Sequence, residues 1–343
     1  MTLTQASALL SPEEIAVRAG QQVPHLHLPK RHEVFAERET RLRQLAASHP
    51  MRDFLLFAAE LVRAQHEILQ SYPAVALPDA DAIDAASRAG QPPVPAVHWP
   101  RDPQWRAGFH RLLAALLPRL EGSPAQAVVR ELQGIPDDAL EQQADRLLHN
   151  IMFGLDMAAA PLIAAGLQAY WTQLVLATEE ARGTDRLAPF GRVDDATVCP
   201  CCGSRPTASV SRIDGGGSYR YLHCSLCSAQ WHMVRIKCAH CESTKGIHYQ
   251  SLQPAGDGPA ASGAPKQAVE AETCDECGHY LKIVRMDRDM YVDPAADDLA
   301  TVTLDLLVSE AGFQRHGVNL MLLFGDPDGP DGADPDPNDG GGG

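Results

Sequence analysis

Residues 199–206 read CPCCGSRP, residues 220–241 read RYLHCSLCSAQWHMVRIKCAHC, and residues 271–283 read AETCDECGHYLKI. All nine cysteines of the chain lie in these three strings. Eight of them form four C-x-x-C pairs: Cys199/Cys202, Cys224/Cys227, Cys238/Cys241 and Cys274/Cys277. A two-residue spacer lets both thiolates reach one ion from a tight turn whose backbone N–H groups point at sulfur. Gly203 and Gly278 directly follow the second Cys of their pairs, where a metal knuckle needs a close backbone. Pairing in chain order leaves 21 residues between the first two pairs and 32 between the last two. The first interval is close to the usual ribbon spacing of about 15–20 residues. The second is lengthened by the Gly/Ala/Pro-rich run Pro254–Pro265, expected to be a flexible loop.

Two tetrahedral four-thiolate sites follow from chain-order pairing, which is preferred over a crossed arrangement joining the first pair to the third. Sulfur-only sites take zinc or iron, and spacing does not separate the two metals. Four thiolates leave no open position for catalysis. A thioredoxin-like redox site would use one C-x-x-C opening a helix after a strand, which four pairs among short strands do not match. Cys201, inside the first pair, is expected to be a bystander thiol. With eight Cys available, His223, His232, His240, His248 and His279 are expected at the surface or outside the ligand shell.

Around the cysteines run short β-rich segments: Ala208–Ile213, Tyr219–His223, Gln230–Arg235, Gly246–Leu252 and Tyr280–Met286. Such strands cannot hold a core alone, so a metal knuckle is their expected organiser. The preceding 185 residues read as helical. His32–Ser48 and Met51–Ser71 are long and free of internal Pro or Gly, and Leu55, Ala58, Leu61, Val62, Ile68 and Leu69 make one apolar face. Residues 72–100 are a Pro/Ala-rich crossover with a short helix near Asp81–Ala89. Helical patterns resume at Pro103–Leu120, Pro124–Leu132, Pro136–Asn150 and Pro161–Arg182, the last ending at Gly183 as C-cap. Asp297–Phe313 is expected to form one further helix. From Gly325 onward six Asp and no basic residue stand among Gly and Pro, so a disordered acidic tail is expected.

The chain has 343 residues, 45% apolar and 21% charged, enough for a core that needs no staple. Its net charge of −15 disfavours nucleic acid and polybasic membrane binding. Residues 286–343 carry 13 acidic and 2 basic groups, whereas the Cys-rich segment is close to neutral. The apolar stretch Ile151–Trp171 contains Asp156, Pro161 and Gln168 and lacks flanking basic clusters, so it reads as buried helix and not a membrane span. Glu13 and Glu14 stand where a signal peptide would be apolar, and a cytoplasmic location is expected. There, paired Cys favour metal over disulfides.

The three strings resemble the FdhE family of formate dehydrogenase accessory proteins. The match includes Gly203, Ser204, Pro206, the Arg220–Cys224 run, Trp231-His232, Val234-Arg235, Lys237, Tyr249, Glu272 and Tyr280–Lys282. HPMRDFLLFAAELVRAQ, VHWPRDPQW and DDLATVTLDLLVSEAGFQRHGVNLMLLFG resemble that family's helical and C-terminal segments. Departures are Cys201, the Pro254–Pro265 insertion, Leu320 where the family tends to have Pro, and the tail. The resemblance implies an α+β protein: an all-helical domain (1–185), two tandem rubredoxin-like or zinc-ribbon modules (186–237 and 238–290), a C-terminal helix and extension (291–324) and the tail (325–343). It implies two iron sites held by the eight paired Cys, with zinc as the alternative metal. It also implies a cytoplasmic, non-enzymatic protein that binds the catalytic subunit of a respiratory molybdenum-dependent formate dehydrogenase and is needed for its activity. A homodimer is compatible with the sequence. Tyr221, His223, Trp231, His232, Arg235 and Glu272 are the candidates for partner contact or for supporting the ligands. A rubredoxin-like electron carrier and a structural zinc ribbon are the competing readings.

Overall fold

The computed structural model describes residues 23–182, 188–214, 217–252 and 267–322. Gly183, the Pro254–Pro265 run and the tail from Gly325 lie outside the described residues. After a two-residue strand β1 (Leu26–His27), seven helices follow: α1 (Val34–Ala46), α2 (Arg52–Gln70), α3 (Ala80–Arg88), α4 (Gln104–Leu116), α5 (Ala125–Leu132), α6 (Asp137–Leu148) and α7 (Ala160–Arg182). The apolar stripe of α2 is the buried one, with Leu55, Leu61, Val62 and Leu69 at 0–1% exposure. Asp79 caps α3, its carboxylate accepting from the Ala82 N–H at 2.7 Å. Helix α7 is apolar all round and sits accordingly at the centre: every residue from Leu162 to Val175 is buried.

Strands β2 (Pro206–Asp214), β3 (Gly217–Cys224), β4 (Gln230–His232), β5 (Ile247–Gln250), β6 (Val269–Cys274) and β7 (His279–Arg285) then form one sheet with β1 and β8 (Gln314–Arg315). The order is β1-β4-β3-β2-β7-β6-β5, and β8 pairs with β7. Neighbours are antiparallel except β2–β7 and β7–β8. The β2–β7 seam pairs Ser209 with Ile283, Val210 with Val284 and Ser211 with Arg285, so both cysteine modules share one sheet. Strand alternation splits the residues between two cores. Leu222, Trp231 and Leu281 join the helical core, while Val210, Tyr221, Tyr280 and Val284 pack with Leu304 and Val308.

The structure departs from the sequence reading in three places. The segment Gln230–Arg235 is strand only to His232, because beyond it the chain turns away and Ile236 takes φ +59°. Asp297–Phe313 is two short helices, α8 (Pro294–Leu299) and α9 (Val302–Glu310). Asp293 starts α8 early by accepting from the Ala295 and Ala296 N–H groups. The break at Ala300–Thr301 presents the Asp298 and Thr301 carbonyls to the Lys282 ammonium at 2.8 and 3.3 Å. Strand β6, with Glu270 and Glu272 among its six residues, is an element the pattern analysis does not find.

Candidate metal centres

Each C-x-x-C pair occupies a turn with the same backbone device. The residue after the second Cys is left-handed in all four: Gly203 at φ +72°, Ser228 at +60°, Glu242 at +60° and Gly278 at +69°. Glycine adopts this conformation without strain, and Ser and Glu do so at a cost of about 1–2 kcal/mol. The turns close through Gly203 N–H to Cys199 carbonyl (2.8 Å), Glu242 N–H to Cys238 carbonyl (3.2 Å) and Gly278 N–H to Cys274 carbonyl (2.9 Å). Amides aim at sulfur: Leu226 and Cys227 N–H donate to Cys224 Sγ and His240 N–H to Cys238 Sγ, each at 3.4 Å.

Cys199, Cys202, Cys224 and Cys227 form one cluster, and Cys238, Cys241, Cys274 and Cys277 the other, each with its four sulfurs within 4.8 Å of one another. The structure thus brings the pairs together in chain order. Sulfur–sulfur distances are 3.4–3.7 Å in the first group and 3.7–3.8 Å in the second. A tetrahedron with metal–sulfur bonds of about 2.3 Å has edges of about 3.8 Å, so both donor sets fit one tetrahedral ion each. Two four-cysteine groups that can hold metal ions are therefore built into the sheet.

The two differ in enclosure. The first is sealed, its four Cys at 0–1% exposure. The Val94 and Ala96 N–H groups of the crossover donate to the Cys201 and Cys202 carbonyls at 3.2 and 2.8 Å. From α7, Gln168 Nε2 donates to the Ser225 carbonyl at 2.8 Å and Trp171 Nε1 to the Val94 carbonyl at 3.2 Å. Burial pushes the Cys224 and Cys227 thiols up. Burial would raise Cys199 too, but hydrogen bonds from Cys201, Cys202, Cys224 and Cys227 outweigh it and draw that thiol down. Cys201 is itself fully buried against Cys199 and Cys227, outside the tetrahedral four. A cation displaces the protons that such crowded sulfurs otherwise share. In the second group Cys241 is exposed and Cys277 half-buried, so that centre faces solvent.

The remaining candidates divide by burial. Tyr221 is fully buried; its hydroxyl donates to the Pro24 carbonyl at 2.8 Å and its ring contacts His27 and His232. Trp231 is 2% exposed and donates to the Ala196 carbonyl at 2.9 Å. Both aromatics are therefore core, Tyr221 tied to the N-terminal segment and Trp231 to the stretch before the first Cys pair. His223 is buried beside Cys224 with Arg38 Nη2 3.1 Å from its Nε2, and burial followed by the Arg38 charge lowers it to about 3. Its ring is neutral. His232 is half-buried and lowered by burial and then by Arg192. Glu272 is buried beside the second centre and accepts from Arg220 Nη2 and Ser209 Oγ, both at 2.7 Å. Arg220 also donates to the Lys237 carbonyl at 2.8 Å, tying β3 to the start of the second module. Arg235 is exposed between Val234 and Ile236, which are 61% and 58% exposed. Lys282, by contrast, is buried with Asp298 and Asp305 at 3.1 and 2.6 Å. Sequence reasoning missed His316, whose ring stands at the second centre; a lone His after a two-residue strand leaves no pattern to find.

Comparison with known proteins gives one answer along the chain. Family profiles match as FdhE N-terminal at residues 23–185, FdhE central domain at 198–235 and FdhE C-terminal domain at 236–322. The chain is 37% identical over 310 residues to the "Protein FdhE homolog" of Klebsiella pneumoniae, covering 90% of this chain and 94% of that one. It is likewise 37% identical over 310 residues to "Protein FdhE" of Salmonella arizonae. The crystal structure of the FdhE protein from Pseudomonas aeruginosa superposes with a TM-score of 0.73 at 35% identity, covering 88% of this chain and all of that one. With its helical domain and its two cysteine modules all matched in order, the chain belongs to the FdhE family.

Proposed function

We propose that the protein is a cytoplasmic accessory factor without catalytic activity of its own. It binds the catalytic subunit of a respiratory, molybdenum-dependent formate dehydrogenase and is needed for that enzyme to mature. In this reading Cys199, Cys202, Cys224 and Cys227 ligate one iron ion, and Cys238, Cys241, Cys274 and Cys277 a second. The observation that carries the reading is FdhE membership from residue 23 to residue 322 in a chain whose chemistry-bearing side chains gather into two four-cysteine groups. Four thiolates close the coordination sphere of an ion and leave it no place to bind substrate. No helix among the described residues is long and apolar enough to cross a membrane. The net charge of −15 repels nucleic acid.

Because Tyr221 and Trp231 are buried, the docking surface is assigned to Val234–Ile236, the exposed apolar and basic turn beside the solvent-facing centre. Deleting the gene from a formate-respiring host should abolish dehydrogenase activity while both subunits accumulate. Normal activity in the deletion strain would overturn the proposal. Arg235→Glu should reduce co-purification of the catalytic subunit without lowering the melting temperature.

The exposure of Cys241 favours a second reading, an outer-sphere electron carrier. Protein purified without oxygen separates the two. Two irons per chain cycling reversibly between ferric and ferrous states would support electron transfer, and zinc as the sole native metal would exclude it.

A further inference from the structure

The solvent side of the second centre carries nitrogen donors that the four thiolates do not need. His240 stands between Cys238 and Cys241, and His279 two residues after Cys277. Their rings stack with centroids 3.9 Å apart and planes 13° apart. One nitrogen of each and Cys277 Sγ lie within 4.8 Å of one another. The Cys277 carbonyl can only accept, so the 2.8 Å contact to His279 Nδ1 puts the proton on Nδ1 and leaves the Nε2 lone pair available. A third imidazole borders the group. His316 lies edge-on to His240 with centroids 4.9 Å apart, and its backbone N–H is fixed to the Tyr280 carbonyl at 2.9 Å. It is 7% exposed, and its Nε2 is buried with no hydrogen-bond partner among the described residues. It lines a small cavity together with Cys238, His240, Cys274 and His279. A buried orphan nitrogen beside two further imidazoles and a thiolate calls for a ligand.

We infer that His240, His279 and Cys277, beside the orphaned ring of His316, bind an additional borderline divalent cation such as zinc or cobalt(II), with the Cys277 thiolate bridging to the ion of the second four-cysteine group. The inference rests on the reading of Cys238, Cys241, Cys274 and Cys277 as metal ligands. A divalent ion among four thiolates leaves a net charge of about −2, which attracts a further cation, and imidazole with thiolate is a donor set suited to zinc. A point equidistant from three atoms 4.8 Å apart is about 2.8 Å from each, and the two stacked rings must swing out of their parallel arrangement for both nitrogens to aim at it.

The test is metal stoichiometry on the full-length protein, equilibrated with zinc at fixed free concentration and measured by elemental analysis. The expected result is about three equivalents per chain in the wild type and about two in His240→Ala/His279→Ala, the two that remain serving as the control for folding. Cobalt(II) gives a second readout. Adding the last equivalent should alter the thiolate-to-cobalt charge-transfer bands of the wild type, through the shared Cys277, and leave those of the double variant unchanged. Two equivalents in the wild type, or a third that survives the double substitution, would overturn the inference. Fewer than two in the wild type would overturn the reading of the two four-cysteine groups as well.

Discussion

Glu141 illustrates what single residues contribute outside the metal centres. Its carboxylate accepts from Trp105 Nε1 at 2.8 Å, Arg106 Nη1 at 2.6 Å, and Arg101 Nε and Nη2 at 2.9 and 2.6 Å. Burial would raise its pKa, but the hydrogen bonds from Trp105, Arg101 and Arg106 together outweigh that and hold it below the usual value of about 4.5. A depressed carboxylate adds stability above its unfolded-state pKa and loses it as pH falls through the folded one. Glu141→Gln should therefore lower the melting temperature at pH 7, with a cost of about 1–2 kcal/mol after allowing for solvent screening. The gap to wild type should close as pH drops below 4.5; a gap independent of pH would refute the assignment. At this scale the grouping of the eight paired cysteines was legible, since the C-x-x-C spacing is itself the geometry of the turn. The left-handed residues were half legible: Gly203 and Gly278 announce it, Ser228 and Glu242 do not. What covers Tyr221 and Trp231 was not legible, because alternation says that a side chain faces one side of a strand and not what packs on that side.

Among the elements, α7 joins the helical domain to the first centre. Gln168 accepts from Gln65 Nε2 at 3.0 Å and donates to the Ser225 carbonyl inside the Cys224/Cys227 turn at 2.8 Å. Gln168→Ala would leave both partners buried without it, at about 1–3 kcal/mol. The same variant should speed metal loss from the first centre. Unchanged release kinetics alongside a lowered melting temperature would show that the link is mechanical support alone. Most helices were legible to within two residues because their apolar faces recur every three to four positions. The split of the last one was not, since the Asp298 and Thr301 carbonyls it frees are taken up by Lys282 on strand β7, a tertiary contact that periodicity does not show. Strand β6 was hidden by Glu270 and Glu272. Their partners, Arg285 and Arg220, sit on other strands and satisfy both carboxylates within the sheet.

Taken as a whole, the molecule holds one sealed and one open four-cysteine group on a single sheet. Chelation should therefore be biphasic. The centre containing the exposed Cys241 should release its ion first, and the one at 0–1% exposure only as the fold opens. Cys241→Ser should leave the helical domain's melting nearly unchanged, while Cys227→Ser should destabilise the entire chain. Simultaneous release from both centres would contradict the asymmetry. That the modules share a sheet was not legible in the sequence, because no turn signal marks a pairing between strands so distant in the chain.

That β2–β7 seam also sets an order of events at the ribosome. Cys227 completes the first thiolate quartet while the residues of β7 have yet to be made, roughly 60 positions of chain separating β2 from its parallel neighbour. At about 5–20 residues per second, strand β2 waits several seconds with one backbone edge unpaired. Nascent chains halted in that interval would carry a finished first knuckle beside an open template for pairing with another chain, the configuration that invites aggregation. The last strands to be translated close that edge, so the completed second module acts as a guard for the first.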